Sequence, residues 1–335
     1  MLRTASLILL SLEIASPAAA EEKLKVVTTI ETFADLARRV GGDRVEVQSL
    51  SHGYQDPHFV EAKPNLMVVL NRADLLIRVG LELEIGWLPP LVVGSRNEKI
   101  QRGQQGDLDL STVIDPLDVP ATKVDRSQGD IHPMGNPHYW LPPVNAARCA
   151  KGIRDRLEQL RPEDKAYFEA RFRQFIDELK ASASRWEALA RPLSGLKVVT
   201  YHQSWSYVSK WLHLEEVGYI ENRPGIPPSP AHLAQLIQTM RSEGVRVILV
   251  EDFYNRSIAE SVAEKAGAKV VPSPSDVGAT PAIKSYFDLV DAFLKGLVGA
   301  LADRAPGTGD APWPWKSPSS HLALASRWAD SGQRR

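Results

Sequence analysis

Apolar positions along the chain recur with two periods, and the two alternate. Residues 24–29 (Leu-Lys-Val-Val-Thr-Thr) form a nearly continuous apolar run, as a buried strand requires. Phe33, Leu36, Ala37 and Val40 then follow at helical spacing over 32–40, and Gly41-Gly42 stops that helix. Val45 and Val47 alternate as a second strand, 64–72 reads as a short helix, and 75–79 is a strand ending in Gly80. Strand–helix–strand rhythm predicts an α/β lobe with a largely parallel sheet.

The rhythm then breaks. Residues 102–137 are rich in Asp, Gly, Pro and Ser with little periodicity, and read as a long surface loop. Helical spacing resumes from Pro143 to about residue 160. Pro162 opens a longer helix with Tyr167, Phe168, Phe172, Phe175, Ile176, Leu179 and Trp186 on one side, stopped by Pro192. Its length of roughly 40 Å is enough to cross a lobe as a rigid strut. A second α/β pattern follows: a strand at 196–200, a helix at 204–211, and a Pro-rich turn at 222–230. Ser229 is placed to cap a helix over 230–242 with Pro230 at its first position. A strand at 245–250, a helix at 257–267, a strand at 269–271 and a helix at 283–302 complete it.

Composition narrows the function. Of 335 residues, 40 are Lys or Arg and 41 Asp or Glu, a net charge of -1 that argues against a nucleic-acid surface. Cys149 is the single cysteine, which excludes an intrachain disulfide and a cysteine zinc site. A metal site must therefore use histidines and carboxylates. Residues 1–20 read as a secretory signal: Arg3, an apolar run over 7–12, and Ala18-Ala19-Ala20 before Glu21, with Glu13 as a blemish. The run is too short to span a bilayer, and no cysteine near the cleavage point offers a lipid anchor. A soluble exported protein is expected, without membrane insertion; in a bacterium, it would be periplasmic. Residues 304–335, rich in Gly, Pro, Ser and Trp, read as a disordered tail.

Eight histidines are present: His52, His58, His132, His138, His202, His213, His232 and His321. Three sit alike. Asp56-Pro57-His58 follows a strand, Asn136-Pro137-His138 ends the long loop, and His202 directly follows the strand at 196–200. Ligands of open α/β sheets bind beyond the carboxyl ends of the strands. A preceding proline pins the backbone approaching His58 and His138. Zinc takes three or four N, O or S ligands, with neutral imidazole as the usual nitrogen donor. Taken singly, each histidine is more simply a surface or satisfied core residue. His52 and His132, also in loops, compete for the same role, whereas His213, His232 and His321 read as surface residues. Asp276, in the loop after the strand at 269–271, and Glu251, at the carboxyl end of the strand at 245–250, are the candidates for a fourth ligand, Asp276 preferred. Their plain alternatives are a turn-capping Asp and a helix N-terminal Glu.

Taken together, these segments resemble the periplasmic solute-binding proteins of zinc and manganese ABC transporters (cluster A-I type). The resemblance covers nearly all of 24–302. It rests on Asp56-Pro57-His58 with Lys63-Pro64, Ala73-Asp74-Leu75-Leu76 leading to Gly80-Leu81-Glu82, and Asn136-Pro137-His138-Tyr139-Trp140. Tyr201-His202-Gln203-Ser204-Trp205, Pro224-Gly225-Ile226-Pro227-Pro228-Ser229, Val250-Glu251 and Tyr286-Phe287-Asp288 extend it. It implies two βα lobes with largely parallel sheets, joined by one long rigid helix, with metal in the cleft. The corresponding organisation is a signal peptide at 1–20, an N-terminal lobe at 21–162, a linking helix at 163–192, a C-terminal lobe at 193–303 and the tail at 304–335. It carries the ligand role onto His58, His138 and His202, and a carboxylate role onto Asp276. The register there is displaced by about one position, which leaves Glu251 or water open as the fourth ligand. Some zinc members carry a long His-rich acidic loop; here 102–137 has several Asp but only His132.

The resemblance implies capture of a divalent metal as cargo and its delivery to a membrane permease by a monomer, not an enzyme. Three imidazoles and a carboxylate suit Zn2+; Mn2+ prefers more oxygen, and manganese members usually place a carboxylate where His202 stands. Binding needs neutral imidazoles and should weaken below about pH 6. The rival readings are a manganese-specific binding protein, a periplasmic zinc hydrolase with Glu251 as base, and a surface adhesin.

Overall fold

The computed structural model describes residues 22–122, 132–223 and 225–302. The signal-peptide and tail expectations therefore lie outside the described residues. The N-terminal sheet is wholly parallel, in the order β2-β1-β3-β4: β1 is Leu24–Thr28, β2 Val45–Ser49, β3 Leu75–Arg78 and β4 Asp107–Asp109. Around it lie α1 (Glu31–Gly41), α2 (Pro64–Asn71), α3 (Leu88–Gly94) and α4 (Pro143–Leu160).

The C-terminal sheet repeats this order as β6-β5-β7-β8, again all parallel. Here β5 is Lys197–Thr200, β6 Glu215–Tyr219, β7 Val247–Glu251 and β8 Lys269–Ser273. The helices are α6 (Ser206–Leu212), α7 (Pro230–Glu243), α8 (Ser257–Ala266) and α9 (Tyr286–Ala302). The two central strands carry the same tetrapeptide, Lys-Val-Val-Thr, at 25–28 and 197–200. Each closes the same way: Thr28 Oγ1 donates to the Ile30 carbonyl at 2.9 Å, and Thr200 Oγ1 to the His202 carbonyl at 2.7 Å. Ile30 and His202 thus occupy equivalent places at the carboxyl ends of their sheets.

Two strands depart from the expected pattern. β4 lies inside the segment 102–137, which reads as loop in the sequence. Its pairing is anchored by charge rather than by apolar alternation: Arg78 on β3 donates to Asp107 Oδ1 at 2.9 Å and Asp109 Oδ2 at 2.7 Å. Around these pairs Leu108, Leu110 and Ile114 enter the core. β6 has no sequence signal because it is an edge strand with only half-buried apolar positions and a glycine, Gly218. α3 begins Leu-Pro-Pro, with proline in the first turn where no intrahelical donor is needed. Ser229 caps α7 as expected, accepting from the His232 amide at 3.2 Å. Pro224 of the Pro-rich turn lies outside the described residues.

The two lobes are joined by α5 (Lys165–Ala190), 26 residues long, which is about 39 Å. It packs on α1, α4 and α9, burying Phe168, Phe175, Leu179 and Trp186. Trp186 is fully buried against Tyr286 and Phe287, with ring centroids at 6.1 and 5.9 Å, and its Nε1 donates to Asp291. No helix of the described residues is long and apolar enough to cross a membrane.

Deleting the Trp186 ring removes the bolt between the strut and α9. Trp186→Ala is expected to lower unfolding stability by about 3–5 kcal/mol, read by urea denaturation of the metal-free protein. A loss under about 1 kcal/mol would show that α5 is held by its other contacts.

Candidate metal centre

His58 and His138 are each aimed by the same local device. Asp56 Oδ1 accepts from both the backbone N–H of His58 (2.9 Å) and its ring Nδ1 (2.7 Å). Asn136 Oδ1 does the same for His138, at 2.9 and 2.8 Å. The side-chain oxygen of an Asx residue reaches the amide two residues on, and the intervening proline fixes the turn. The first turn is further pinned by Trp87, whose Nε1 donates to the Pro57 carbonyl at 2.9 Å. The amide of Asn136 points the other way, donating to the Gln203 carbonyl at 2.8 Å and to Asp118 at 2.9 Å. One side chain thereby touches both a candidate ligand of the first lobe and the neighbour of His202 in the second.

His202 has no such local partner. It extends from the end of β5, and its Nδ1 meets Glu221 Oε2 at 3.1 Å from just beyond β6. All three rings thus have Nδ1 engaged by an oxygen acceptor, which places the proton there and leaves the lone pair on Nε2.

These three histidines offer one nitrogen each, all within 4.8 Å of one another. Ring centroids are 5.1 Å apart for His58–His138, 5.5 Å for His58–His202 and 5.3 Å for His138–His202. The residues are 9%, 8% and 3% exposed. Nε2 of His138 is buried with no hydrogen bond, an orphan acceptor aimed into the cluster. His132 also comes close: its Nε2 is 3.3 Å from Nε2 of His58. Among the described residues, neither His132 nor any carboxylate joins the group of three.

Asp276 is buried but otherwise engaged. Its Oδ2 accepts from the Glu31 amide at 3.0 Å; its Oδ1 accepts from the Thr32 amide at 2.7 Å, the Thr32 hydroxyl at 2.5 Å and its neighbour Val277 at 2.9 Å. It thus caps α1, whose own N-cap residue, Ile30, has no side-chain acceptor. Burial pushes its carboxyl up to about 6, against these bonds, which favour the charge. Glu251, at the end of β7, is fully buried and shares a small cavity with His138, Trp140 and Trp205. Ser204 and Trp205 line the same cavity, yet neither carboxyl oxygen of Glu251 has a hydrogen-bond partner among the described residues. Burial pushes its carboxyl up to about 8.

The remaining histidines go elsewhere. His52 is exposed and stacks on Tyr54 at 5.3 Å; His232 Nε2 meets the Tyr219 carbonyl at 2.9 Å; His213 ends α6 in the left-handed region. His321 lies outside the described residues. Sequence reasoning overlooked Glu221. It stands 19 positions from its histidine, and only strand pairing joins the two.

Burial, followed by the neighbouring His58, His202 and His132, holds His138 well below the usual imidazole value of 6.5. Burial also lowers His202, with Glu221 opposing. In the metal-free protein, the ring resonances of both should titrate with midpoints under 6.5 in NMR pH series. A midpoint at or above 6.5 for His138 would mean that the ring is solvated and the cluster open.

Residues 26–300 match the family ZnuA, described as zinc-uptake complex component A, periplasmic. The zinc-binding lipoprotein AdcA of Streptococcus pneumoniae serotype 4 is 27% identical over 299 residues, covering 86% of this chain and 58% of AdcA. The match therefore spans less than two thirds of that relative. The high-affinity zinc uptake system protein ZnuA of Paracoccus denitrificans is 26% identical over 340 residues, covering 90% of this chain and 98% of its own. A crystal structure of ZnuA superimposes with a TM-score of 0.69 at 24% identity, over 83% of this chain and 99% of that one, a likeness of fold. With the match running through both lobes, the chain belongs to the ZnuA family of periplasmic components of zinc-uptake complexes.

Proposed function

We propose that the protein captures a divalent transition metal, zinc foremost, in the periplasm and delivers it to the permease of an ABC transporter. The carrying observation is the convergence of His58, His138 and His202, from three separate segments and both lobes, with nitrogens within 4.8 Å. Their acceptors hold the protons on Nδ1, so three lone pairs face one point. Family membership supports the transport role and the export expected from residues 1–20.

For the fourth position, one distance points to His132, although it stands outside the group whose nitrogens all lie within 4.8 Å of one another. Zinc–nitrogen bonds of about 2.0–2.1 Å in a tetrahedron put neighbouring ligand atoms roughly 3.3–3.4 Å apart. The His58–His132 separation of 3.3 Å fits that edge. Asp276 would become a ligand only by loosening the bonds that cap α1, and Glu251 only against the burial that disfavours its charge. An all-nitrogen set favours zinc over manganese, which prefers oxygen. A hydrolase would need a general base at the metal, and among the described residues no carboxylate joins the three histidines.

The test is zinc competition binding on the mature protein and single variants. His58→Ala, His138→Ala and His202→Ala should each weaken zinc by more than the roughly 10–100-fold that outer partners are worth. His132→Ala should weaken it less than these but measurably. Asp276→Ala should stay within a few-fold of wild type in affinity while losing about 0.5–2 kcal/mol of stability, the value of a helix cap. If Asp276→Ala abolishes binding and His132→Ala does not, the fourth ligand is Asp276. If the wild type binds no transition metal tightly, the capture reading fails.

A further inference from the structure

Imidazoles offer lone pairs but no charge, and a dication buried among neutral rings is costly unless anions stand near it. Two carboxylates lie one hydrogen bond from the ligand rings. Asp56 is 2.7 Å from His58 Nδ1, and Glu221 is 3.1 Å from His202 Nδ1. The third ring, His138, leans on the neutral amide of Asn136. Asp276 is turned to the N-terminus of α1. With neutral rings, the two outer carboxylates sum to -2, the charge that a divalent cargo needs.

Glu221 owes its place to an irregularity in the sheet. β5 and β6 run in register at Val198↔Glu216, then shift by one residue so that Val199 faces Gly218 and Thr200 faces Tyr219. The pairing continues past the strands: the Ile220 amide donates to the Thr200 carbonyl at 2.9 Å, and the Glu221 amide to the Tyr201 carbonyl at 2.8 Å. Carried on, the shifted register sets Glu221 opposite His202; unshifted, it would set Ile220 there. A bulge that re-aims one side chain beside a site is a recurrent use of this feature. The Glu221 side chain is only 10% exposed and that of His202 4%, so their bond is shielded from water.

We propose that Glu221 sets the affinity and selectivity of the metal centre. Its carboxylate holds the His202 ring with Nε2 inward and, with Asp56, supplies the negative charge that an imidazole shell lacks. This rests on the metal-capture reading above. Charge placed one bond behind the nitrogen strengthens the donor without offering an oxygen to the metal. It therefore favours imidazole-loving zinc over manganese. Glu221 is a positioning residue: it acts through His202.

The experiment compares wild type, Glu221→Gln, Glu221→Ala and His202→Ala for Zn2+ and Mn2+ affinity, Co2+ absorption and metal-free thermal unfolding. Glu221→Gln keeps an acceptor and removes the charge. It is expected to weaken zinc about 10- to 100-fold, lower the zinc-to-manganese preference, and retain tetrahedral Co2+ bands and the metal-free unfolding temperature. Glu221→Ala, which also frees the ring, is expected to weaken zinc further and alter the Co2+ bands. Wild-type zinc affinity and selectivity in Glu221→Gln, with His202→Ala defective, overturns the part given to Glu221 and leaves metal capture standing. A wild type that takes up no zinc overturns both.

Discussion

A neutral imidazole has one lone pair, and three such lone pairs meet at one point only if each ring's other nitrogen is held. That requirement organises the centre of this molecule. Asp56, Asn136 and Glu221 each accept a hydrogen bond from one Nδ1. The features around them hold the acceptors: two prolines fix the Asx turns, Trp87 ties down the Pro57 carbonyl, and the shifted register of β6 delivers Glu221. Desolvation completes the arrangement, since burial disfavours the imidazolium and leaves His138 and His202 as bases.

The cleft is also stitched across. Tyr207 of α6 donates to the Asn136 carbonyl at 2.8 Å and accepts from the Leu117 amide at 3.0 Å. Trp140 reaches the Ser275 carbonyl at 2.6 Å, Tyr286 the Leu141 carbonyl at 2.7 Å, and Asp276 caps α1 from the opposite lobe. With α5 packed on helices of both lobes, these bonds oppose a wide opening. Such a scaffold suits a centre whose ligands are largely in place before the cargo arrives, so little ordering entropy remains to be lost on binding.

The two buried carboxylates show how environment divides like groups. Asp276 sits where four donors and a helix N-terminus favour its charge, while for Glu251 burial outweighs the nearby donors Ser204 and Trp205. Among the described residues, neither joins the group of three histidines. The charge nearest the centre lies instead one bond behind the nitrogens, on Asp56 and Glu221. On the proposed reading, such a centre would present nitrogen to a metal and keep oxygen back, as suits zinc better than manganese.

What the chain states locally is legible without coordinates. Apolar runs mark the central strands, and 3.6-residue spacing marks α1, α4 and α5. The cap of α7 shows in Ser229-Pro230, because caps are made within three residues. Asp56-Pro57-His58 and Asn136-Pro137-His138 are legible for the same reason, since an Asx oxygen and the histidine it aims lie two positions apart. Tertiary structure alone decided the rest. β4 is held by Arg78 from another strand, and β6 lies on an edge with no buried face to pattern. Asp276 became a helix cap because α1 supplied free amides across the cleft, and Glu221 met His202 because one extra residue shifted a strand. Hydrogen bonds between residues far apart in sequence leave no spacing to read, because sheet register and lobe packing create their partners.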